Sequence, residues 1–404
     1  MTRSLVRVSP GVSLPTPAEA LAGTVPTFVV HRSYNNAGLL PDLVVRAQRV
    51  CTTDAAVGVA TRLPVQTPTA ARKFLNSVST ATLRFADPEI HTLPGPNIAP
   101  HSRHLRFATR YNYASAAMPA TPNSTWVREV LDAQHDAGAN VLLSASGWVG
   151  SAQSAQQLAT AISFVTATRA ELGSDDPMFV NLTLDTAWLT DATLRARLLQ
   201  EIVESPEPLW WLRVMWPPIR PNPYSQLTAT TLLNAYRELA QVASDEGKVL
   251  FLPNSGLTGW YATALGASGF STGMSSTERA YLNQPPPSGG GGNPPRERVF
   301  ERNVLHTILR TDQPPLTRQA GYQACGCAYC QQLANGPWQQ KVEQLHYLLN
   351  GAELTATLGR TGRRAAGHAR VQQADTFNRA LSGAATLTGE SEPKHLTEWE
   401  ALLR

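Results

Sequence analysis

Short apolar runs rich in β-branched and aromatic residues alternate with longer stretches of helical spacing from residue 24 to about residue 310. A strand followed by a helix, repeated many times along the chain, is typical of a parallel sheet. The strands that this pattern predicts are Thr27 to His31, Thr82 to Ala86, Asn140 to Ser144, Met178 to Leu184, Trp210 to Trp216, Val249 to Pro253 and Gly269 to Gly273, with Val304 to Leu309 as the weakest candidate for an eighth.

Two of the connecting helices have clear ends. Apolar spacing predicts a helix from Ser124 to Ala137, with Ser124 or Thr125 as its N-cap and Gly138 at its end. A second helix is predicted from Leu227 to Glu246, directly before the strand that begins at Val249. Helices therefore lead into strands, as a β/α alternation requires.

The number and spacing of the strands favour one architecture. Seven or eight strands in a stretch of about 300 residues fit an eight-fold β/α barrel better than a sandwich. An open doubly wound sheet would often carry a glycine-rich phosphate loop. Neither G-x-G-x-x-G after the first strand nor G-x-x-x-x-G-K-[ST] occurs. We therefore predict an α/β protein with a (β/α)8 TIM-like barrel.

Two segments interrupt the pattern. Residues 87–123 are rich in proline, histidine, arginine and aromatic residues and are too long for a simple connection, so they are predicted to form an insertion over the barrel mouth. Residues 284–296 consist largely of proline and glycine and are predicted to form a flexible loop.

Composition excludes some classes of protein. Of the 404 residues, 42% are apolar and 16% are charged, which rules out disorder as the main state. The net charge of +4 does not by itself indicate a nucleic-acid partner. Because there is no run of about 18 apolar residues and no apolar leader at the N-terminus, we expect a soluble, cytoplasmic protein without membrane contact.

Three of the four cysteines lie within six residues, as Cys325-Gly-Cys327-Ala-Tyr-Cys330, whereas Cys51 is far upstream. This spacing fits a metal site better than a disulfide framework. Tetrahedral Zn²⁺ takes thiolate ligands at about 2.3 Å and needs a fourth ligand, which either His346 or His368 could supply. Four protein ligands would make the zinc structural.

The cysteine turn, the segment Leu345-His-Tyr-Leu-Leu-Asn-Gly-Ala-Glu-Leu354 and a further helix with His368 together resemble the C-terminal part of the tRNA-guanine transglycosylases and of the related enzymes that insert deazaguanines into DNA. The resemblance implies a zinc-bearing β/α barrel with a metal held by Cys325, Cys327, Cys330 and His368. The gap between Cys330 and His368 is longer than is usual in that family, which keeps His346 as an alternative ligand.

The predicted domains follow from these patterns. Residues 1–310 form the barrel, and residues 311–404 form a helical zinc-binding subdomain packed on it. Around His368 lies the most basic stretch of the chain, which is either a phosphate-contacting face or a solvated helix surface. Its arginines are Arg360, Arg363, Arg364 and Arg370.

The resemblance does not extend to the catalytic aspartate. That family uses an aspartate on a late strand as a nucleophile at the ribose C1′, and a second aspartate near an early strand as acid and base. The matching run here, Gly266-Ala-Ser-Gly-Phe-Ser271, has Ser271 at the nucleophile position. A serine hydroxyl without an adjacent base is a poor nucleophile, so the family's catalytic residues cannot be carried over directly.

Other polar residues lie at the C-terminal ends of the predicted strands, where barrel enzymes place their chemistry. Asp87 and Asp185 are the candidate catalytic pair, and each is alternatively a turn or capping residue. The candidate substrate contacts are Arg213, Asn254 and Ser271, and His31 also ends a strand.

Three functions are compatible with these features. The first is a transglycosylase-like enzyme that exchanges a guanine-type base at the N-glycosidic bond of tRNA or DNA, with a small deazaguanine-type base as co-substrate. The second is a noncatalytic, zinc-containing subunit that binds nucleic acid for such an enzyme. The third is an unrelated TIM-barrel hydrolase. A homo- or heterodimer is compatible with each of them.

Overall fold

The computed structural model describes residues 13–32, 37–96, 98–100, 117–173, 176–216, 225–274, 279, 281 and 296–404. Much of the predicted insertion at 87–123 and nearly all of the predicted loop at 284–296 lie outside these residues. Among the helices in the described ranges, none is both long and apolar enough to cross a membrane.

Eight parallel strands form a nearly closed barrel, which confirms the predicted fold class. Their order around the barrel is β3-β2-β1-β9-β8-β7-β6-β4, and β5 also pairs with β6, so that β4 and β5 are two pieces of the fourth barrel strand. The bounds are β1 Thr27–His31, β2 Ala56–Arg62, β3 Leu83–Asp87, β4 Leu142–Leu143, β5 Trp148–Val149, β6 Met178–Asp185, β7 Leu209–Met215, β8 Val249–Leu252 and β9 Gly269–Gly273.

A side-chain amide bridges the remaining gap between β3 and β4. The backbone N–H of Asn140 donates to the carbonyl of Arg84 at 3.1 Å, and the Arg84 N–H donates to Asn140 Oδ1 at 2.6 Å. The Asn140 amide group also donates to the carbonyl of Thr82 at 3.1 Å. Asn140 therefore supplies the donors and acceptors of a strand where β4 is too short to reach β3.

The interior of the barrel is filled by aromatic side chains. The rings of Phe85 and Trp211 lie 4.6 Å apart, and those of Phe179 and Phe251 lie 5.0 Å apart at right angles. All four side chains are fully buried. These strands therefore surround a packed core rather than a channel, as in other β/α barrels.

Helices surround the barrel. Those before the C-terminal region are α1 Pro17–Leu21, α2 Leu40–Cys51, α3 Pro68–Ser77, α4 Ser124–Ala137, α5 Ser154–Glu171, α6 Ala187–Thr190, α7 Ala192–Glu204, α8 Ser225–Thr228, α9 Thr230–Asp245 and α10 Gly256–Ala264. After an antiparallel hairpin come the remaining elements. They are β10 Arg298–Glu301, β11 His306–Leu309, α11 Gln313–Leu316, α12 Ala328–Asn335, α13 Gln340–Leu358, α14 Arg363–Ala380 and α15 His395–Leu403.

Helix α13 takes the place of the eighth barrel helix. It contacts α2, where Cys51 Sγ lies 3.4 Å from the carbonyl of Ala352, and it contacts α10, where Trp260 Nε1 donates to the carbonyl of Leu354 at 2.9 Å. The cysteine turn therefore lies in a long insertion between the eighth barrel strand, β9, and its helix. The predicted division of the chain at residue 310 stays a prediction.

Several predicted elements need correction. The doubtful strand at Val304 to Leu309 belongs to the hairpin, and the strand that completes the barrel is β2, which the pattern missed because its alanines and glycine resemble a loop. The N-cap of α4 is Asn123, whose side chain accepts from the Trp126 N–H, rather than Ser124 or Thr125. Gly138 ends that helix with φ 91°, as predicted.

Two arginines of the basic stretch, at the start of α14 and just before it, bind the barrel. Arg363 donates to the carbonyl of Gly23 at 2.8 Å, and Arg360 pairs with Glu19 at 2.7 Å and donates to the carbonyl of Thr53. These partners precede β1 and β2, so the two arginines lie at the end of the barrel opposite the strand ends that carry the candidate site. They hold α14 in place, which argues against their use as phosphate contacts.

A substitution at Gly351 tests how closely α13 packs against the barrel. A Cβ at this position would lie 2.8 Å from Cε2 of the buried Phe28 ring on β1. Alanine gains about 1 kcal/mol of helix propensity, but overpacking against a buried ring costs about 2–3 kcal/mol, in the upper part of the usual range, so we expect Gly351→Ala to lower the free energy of unfolding by roughly 1–2 kcal/mol.

Urea denaturation measures this change. Gly38→Ala is the control, because a Cβ there meets no atom within 4 Å, and it should change stability by less than about 0.5 kcal/mol. Equal stability of both variants would show that α13 does not pack closely against β1.

Candidate functional site

Four side chains form a candidate metal centre. The ligand atoms of Cys325, Cys327, Cys330 and His346 all lie within 4.8 Å of one another. Nδ1 of His346 is 3.3 Å from Sγ of Cys327 and 3.4 Å from Sγ of Cys330, and these two sulfurs are 3.5 Å apart. Three thiols and one imidazole are a donor set that Zn²⁺ prefers, so the residues fit a structural zinc ion.

Local structure brings these ligands together. Cys327 precedes the first residue of α12, and its carbonyl accepts from the N–H of Cys330 at 3.1 Å, so the two sulfurs lie on one turn. His346 is in the second turn of α13. Its Nε2 lies 2.9 Å from the carbonyl of Phe300 on β10, which turns Nδ1 towards the sulfurs. This second contact fixes the tautomer and orientation of a metal-binding histidine.

The predicted ligand His368 is not part of this group. It lies on α14, and the structure brings the alternative, His346, to the thiols instead. The reason is the placement of α13 in the ring of barrel helices, directly after the cysteine turn. Helix α14 packs elsewhere, with Gly367 against Ala264 of α10. In the sequence, the long gap between Cys330 and His368 was the feature that kept His346 as an alternative ligand.

Metal content tests the ligand set. We expect Cys327→Ser and His346→Asn to lose stoichiometric zinc and to unfold at lower urea concentration, because a structural metal contributes folding free energy. His368→Gln should keep both the zinc and the stability of the wild type. Elemental analysis of the purified variants measures the metal. Loss of zinc in His368→Gln with retention in His346→Asn would contradict this assignment.

A second candidate site lies at the C-terminal ends of the barrel strands. Successive side chains of a strand point to opposite faces. Beyond the aromatic interior, five strands therefore direct a polar side chain inward at the barrel mouth, two residues after Phe85 and Trp211 but four residues after Phe179. These side chains are at most 2% exposed, and they are His31, Asp87, Thr183, Arg213 and Ser271.

Arg213 is the centre of this polar layer. Its guanidinium forms a salt bridge with Asp87 and donates to Oδ1 of Asn254 at 3.2 Å and to Oγ1 of Thr183 at 3.2 Å. A buried ion pair is costly unless hydrogen bonds satisfy both partners. Asp87 meets this condition because its Oδ1 also accepts from the N–H of Glu89 at 2.9 Å.

Ser271 joins the same network. The backbone N–H of Asn254 donates to Ser271 Oγ at 2.8 Å, and Nδ1 of His31 lies 3.2 Å from that oxygen. Asn254 has φ 52°, in the left-handed region that asparagine tolerates better than most residues. With this backbone conformation, just after the end of β8, the N–H of Asn254 reaches Ser271 on the neighbouring strand β9.

Four of the five residues predicted for catalysis or substrate binding are therefore connected, namely Asp87, Arg213, Asn254 and Ser271. Asp185 is not in the network. Its Oδ1 accepts from the N–H of Ala187 at 2.9 Å and its Oδ2 accepts from Ser151 at 3.3 Å, as a turn residue does. The hydrogen bonds that the structure shows do not link Asp185 to Asp87.

Sequence reasoning missed three participants. Thr183 and His91 contact Arg213, and the ring of Tyr281 lies 5.1 Å from that of His91. Thr183 could have been found, because it lies four residues beyond Phe179 on β6 and therefore on the same face. His91 lies in a short 3-10 helix, Ile90–Thr92, and Tyr281 lies beyond β9, so strand periodicity places neither side chain.

Comparison with known proteins does not identify the chain. No family model matches it, and no curated protein matches it. One solved structure, of the tandem GH20 catalytic modules in the pneumococcal exo-beta-D-N-acetylglucosaminidase StrH, aligns with 96% of this chain and 100% of that chain. Its sequence identity is 8% and its TM-score is 0.20, so this likeness carries no argument.

Proposed function

We propose that this protein is a zinc-stabilised β/α-barrel enzyme that exchanges a guanine-type base at the N-glycosidic bond of tRNA or DNA. The observation that carries the proposal is the position of Asp87. It lies at the C-terminal end of β3, where barrels place their catalytic groups, and it shares one buried network with Arg213, Asn254 and Ser271. The resemblance of the cysteine turn and of the helix with His346 supplies the substrate class.

Asp87 has the chemistry that such a reaction needs. Cleavage of an N-glycosidic bond develops positive charge at the ribose C1′, and a carboxylate beside that carbon stabilises it. Arg213 orients the carboxylate through the salt bridge, and the N–H of Glu89 holds its other oxygen. Asp185 has no part in this proposal, since its contacts are those of a turn.

The zinc contributes structure to this enzyme. When bound by the three cysteines and His346, it would connect the insertion after β9 to α13, which packs on β1 and on its flanking helices. No step of the base exchange is assigned to the metal. The cytoplasmic location and the dimer stay predictions.

A second function, a noncatalytic subunit that binds nucleic acid, is favoured by one observation. Ser271 is at the position of the family's nucleophile, and its oxygen accepts from the N–H of Asn254 and contacts His31. In that family the same position holds the carboxylate that attacks the ribose C1′ and forms a glycosyl ester. A serine there leaves the chain without that nucleophile. An unrelated barrel hydrolase remains the third function that is compatible with this fold.

Incorporation of labelled 7-deazaguanine into guanine-containing tRNA and DNA tests the proposal. We expect the wild type to incorporate label and Asp87→Asn to lose at least about a hundredfold in rate, as when a group that stabilises the transition state is removed. Asp185→Asn is the matched control and should stay within about twofold of the wild type.

The other outcomes separate the functions. Full incorporation by Asp87→Asn would refute the role of Asp87. A salt-dependent complex of the wild type with tRNA or DNA, without any incorporation, would support the noncatalytic subunit instead.

A further inference from the structure

A cavity opens beside the candidate metal centre. Its volume is about 410 Å³, and the described residues that line it include Cys325, Cys330 and His346. A water molecule takes up about 30 Å³ of the liquid, so the cavity has room for small solutes. Two of the three sulfurs of the metal centre are therefore within reach of a small molecule that enters from solvent.

The four cysteines differ in exposure and in reactivity. Cys325, Cys327 and Cys330 are half-buried, whereas Cys51 is fully buried against α13. Burial raises the pKa of the Cys51 thiol to about 12, which keeps this thiol protonated and unreactive. A bound metal, in contrast, holds its cysteine ligands as thiolates, the nucleophilic form of the side chain. The cysteine turn thus combines reactive sulfur with access from solvent.

Cys327 and Cys330 are also placed to react with each other. Their sulfurs are 3.5 Å apart, and the N–H of Cys330 donates to the carbonyl of Cys327 at 3.1 Å, so the two residues share one turn. A disulfide has an S–S distance of about 2.05 Å, so the sulfurs need to approach by only about 1.5 Å. An accessible thiolate with a second cysteine beside it is typical of redox-sensitive proteins.

We propose that the metal centre is a site of reversible oxidation, at which a peroxide converts Cys327 and Cys330 into a disulfide and the zinc is released. The thiolate of Cys330 attacks one oxygen of the peroxide, so that an S–O bond forms, the O–O bond breaks and the other oxygen leaves as hydroxide. The thiolate of Cys327 then attacks the sulfur of Cys330. An S–S bond forms, the S–O bond breaks and a second hydroxide leaves.

The atoms and electrons of this reaction balance. The two thiolates lose two electrons, hydrogen peroxide takes them up, and two protons from solvent convert the two hydroxides into water. Only Cys325 and His346 then remain as metal ligands, which is too few to retain a structural zinc ion. A dithiol reductant reverses the oxidation by thiol–disulfide exchange and restores the ligands.

Loss of the metal affects the barrel through α13. His346 on this helix is then no longer tied to the cysteine turn, and the hydroxyl of its neighbour Tyr347 lies 3.3 Å from Oγ1 of Thr272 on β9. We expect the oxidised protein to unfold at a lower urea concentration, because a structural metal contributes folding free energy. The inference depends on the metal centre and not on the proposed base exchange.

Peroxide treatment of the zinc-loaded full-length protein tests the inference. A chromogenic chelator measures released zinc against an untreated sample, and alkylation in urea followed by mass spectrometry measures the free thiols. We expect one zinc to leave each chain as two thiols disappear, with Cys51 and Cys325 still alkylated. Chymotrypsin cuts after Tyr329 and so separates Cys330 from Cys327. The two fragments should stay joined until dithiothreitol is added, and dithiothreitol with zinc should restore the metal content and the urea midpoint.

Two variants are matched controls. Ala334→Phe places a large side chain in the wall of the cavity without changing a ligand, so it should retain zinc and release it several-fold more slowly in peroxide. Cys51→Ser removes the buried thiol and should release zinc as the wild type does, with the same two thiols lost.

Several results would overturn the inference. They are purification of the protein without zinc, retention of zinc in peroxide, equally fast release from Ala334→Phe, a disulfide that includes Cys325, and oxidation to sulfinic acid without a disulfide. If Ala334→Phe fails to fold, the disulfide mapped in the wild type decides the question. Because none of these assays contains nucleic acid or a free base, their outcome is independent of the proposed function.

Discussion

The ion pair between Asp87 and Arg213 is the interaction around which the barrel mouth is arranged. Both side chains are fully buried, directly above an interior filled by aromatic rings. Loss of one partner would leave an uncompensated buried charge at a cost of about 3–5 kcal/mol, whereas replacement of both by apolar residues is often neutral or stabilising. Stability alone therefore does not explain the pair, which is consistent with the role that we propose for Asp87.

The metal centre and the barrel mouth are connected through one helix. His346 and Tyr347 are adjacent on α13. His346 faces the cysteines, and the hydroxyl of Tyr347 lies 3.3 Å from Oγ1 of Thr272, the neighbour of Ser271 on β9. The guanidinium carbon of Arg279 lies 3.6 Å from the centre of the Tyr347 ring. A metal ion bound by these four residues would fix α13 and would thus also support the strand that carries part of the polar network.

The architecture was predictable because it depends on a regular pattern. Long apolar strands such as β6 and β7 are recognisable one by one, and β1 and β9 have the predicted bounds. Strand β2 escaped notice because Ala-Val-Gly-Val-Ala has small side chains, which suit the crowded inside of a barrel but also occur in loops. The hairpin near Val304 has strand composition, and only tertiary contacts exclude it from the barrel.

The candidate sites were predictable to different extents. Three thiols on one turn indicate a candidate metal site from sequence alone, but the choice between His346 and His368 depends on which helix completes the barrel. Likewise, Asp87 and Asp185 both end strands, and only the inward direction of the side chain and its hydrogen bonds distinguish a network member from a turn residue. His91 lies in a short 3-10 helix after β3 rather than on a strand, so its contact with Arg213 could be known only from the folded chain.

The decisive measurement compares stability with base binding in one double variant, Asp87→Leu together with Arg213→Met. If the buried ion pair is kept for function, the double variant should unfold at a urea concentration equal to or above that of the wild type, and it should no longer bind 7-deazaguanine. A variant that unfolds at much lower urea concentration but binds the base as the wild type does would show that the pair only supports the fold.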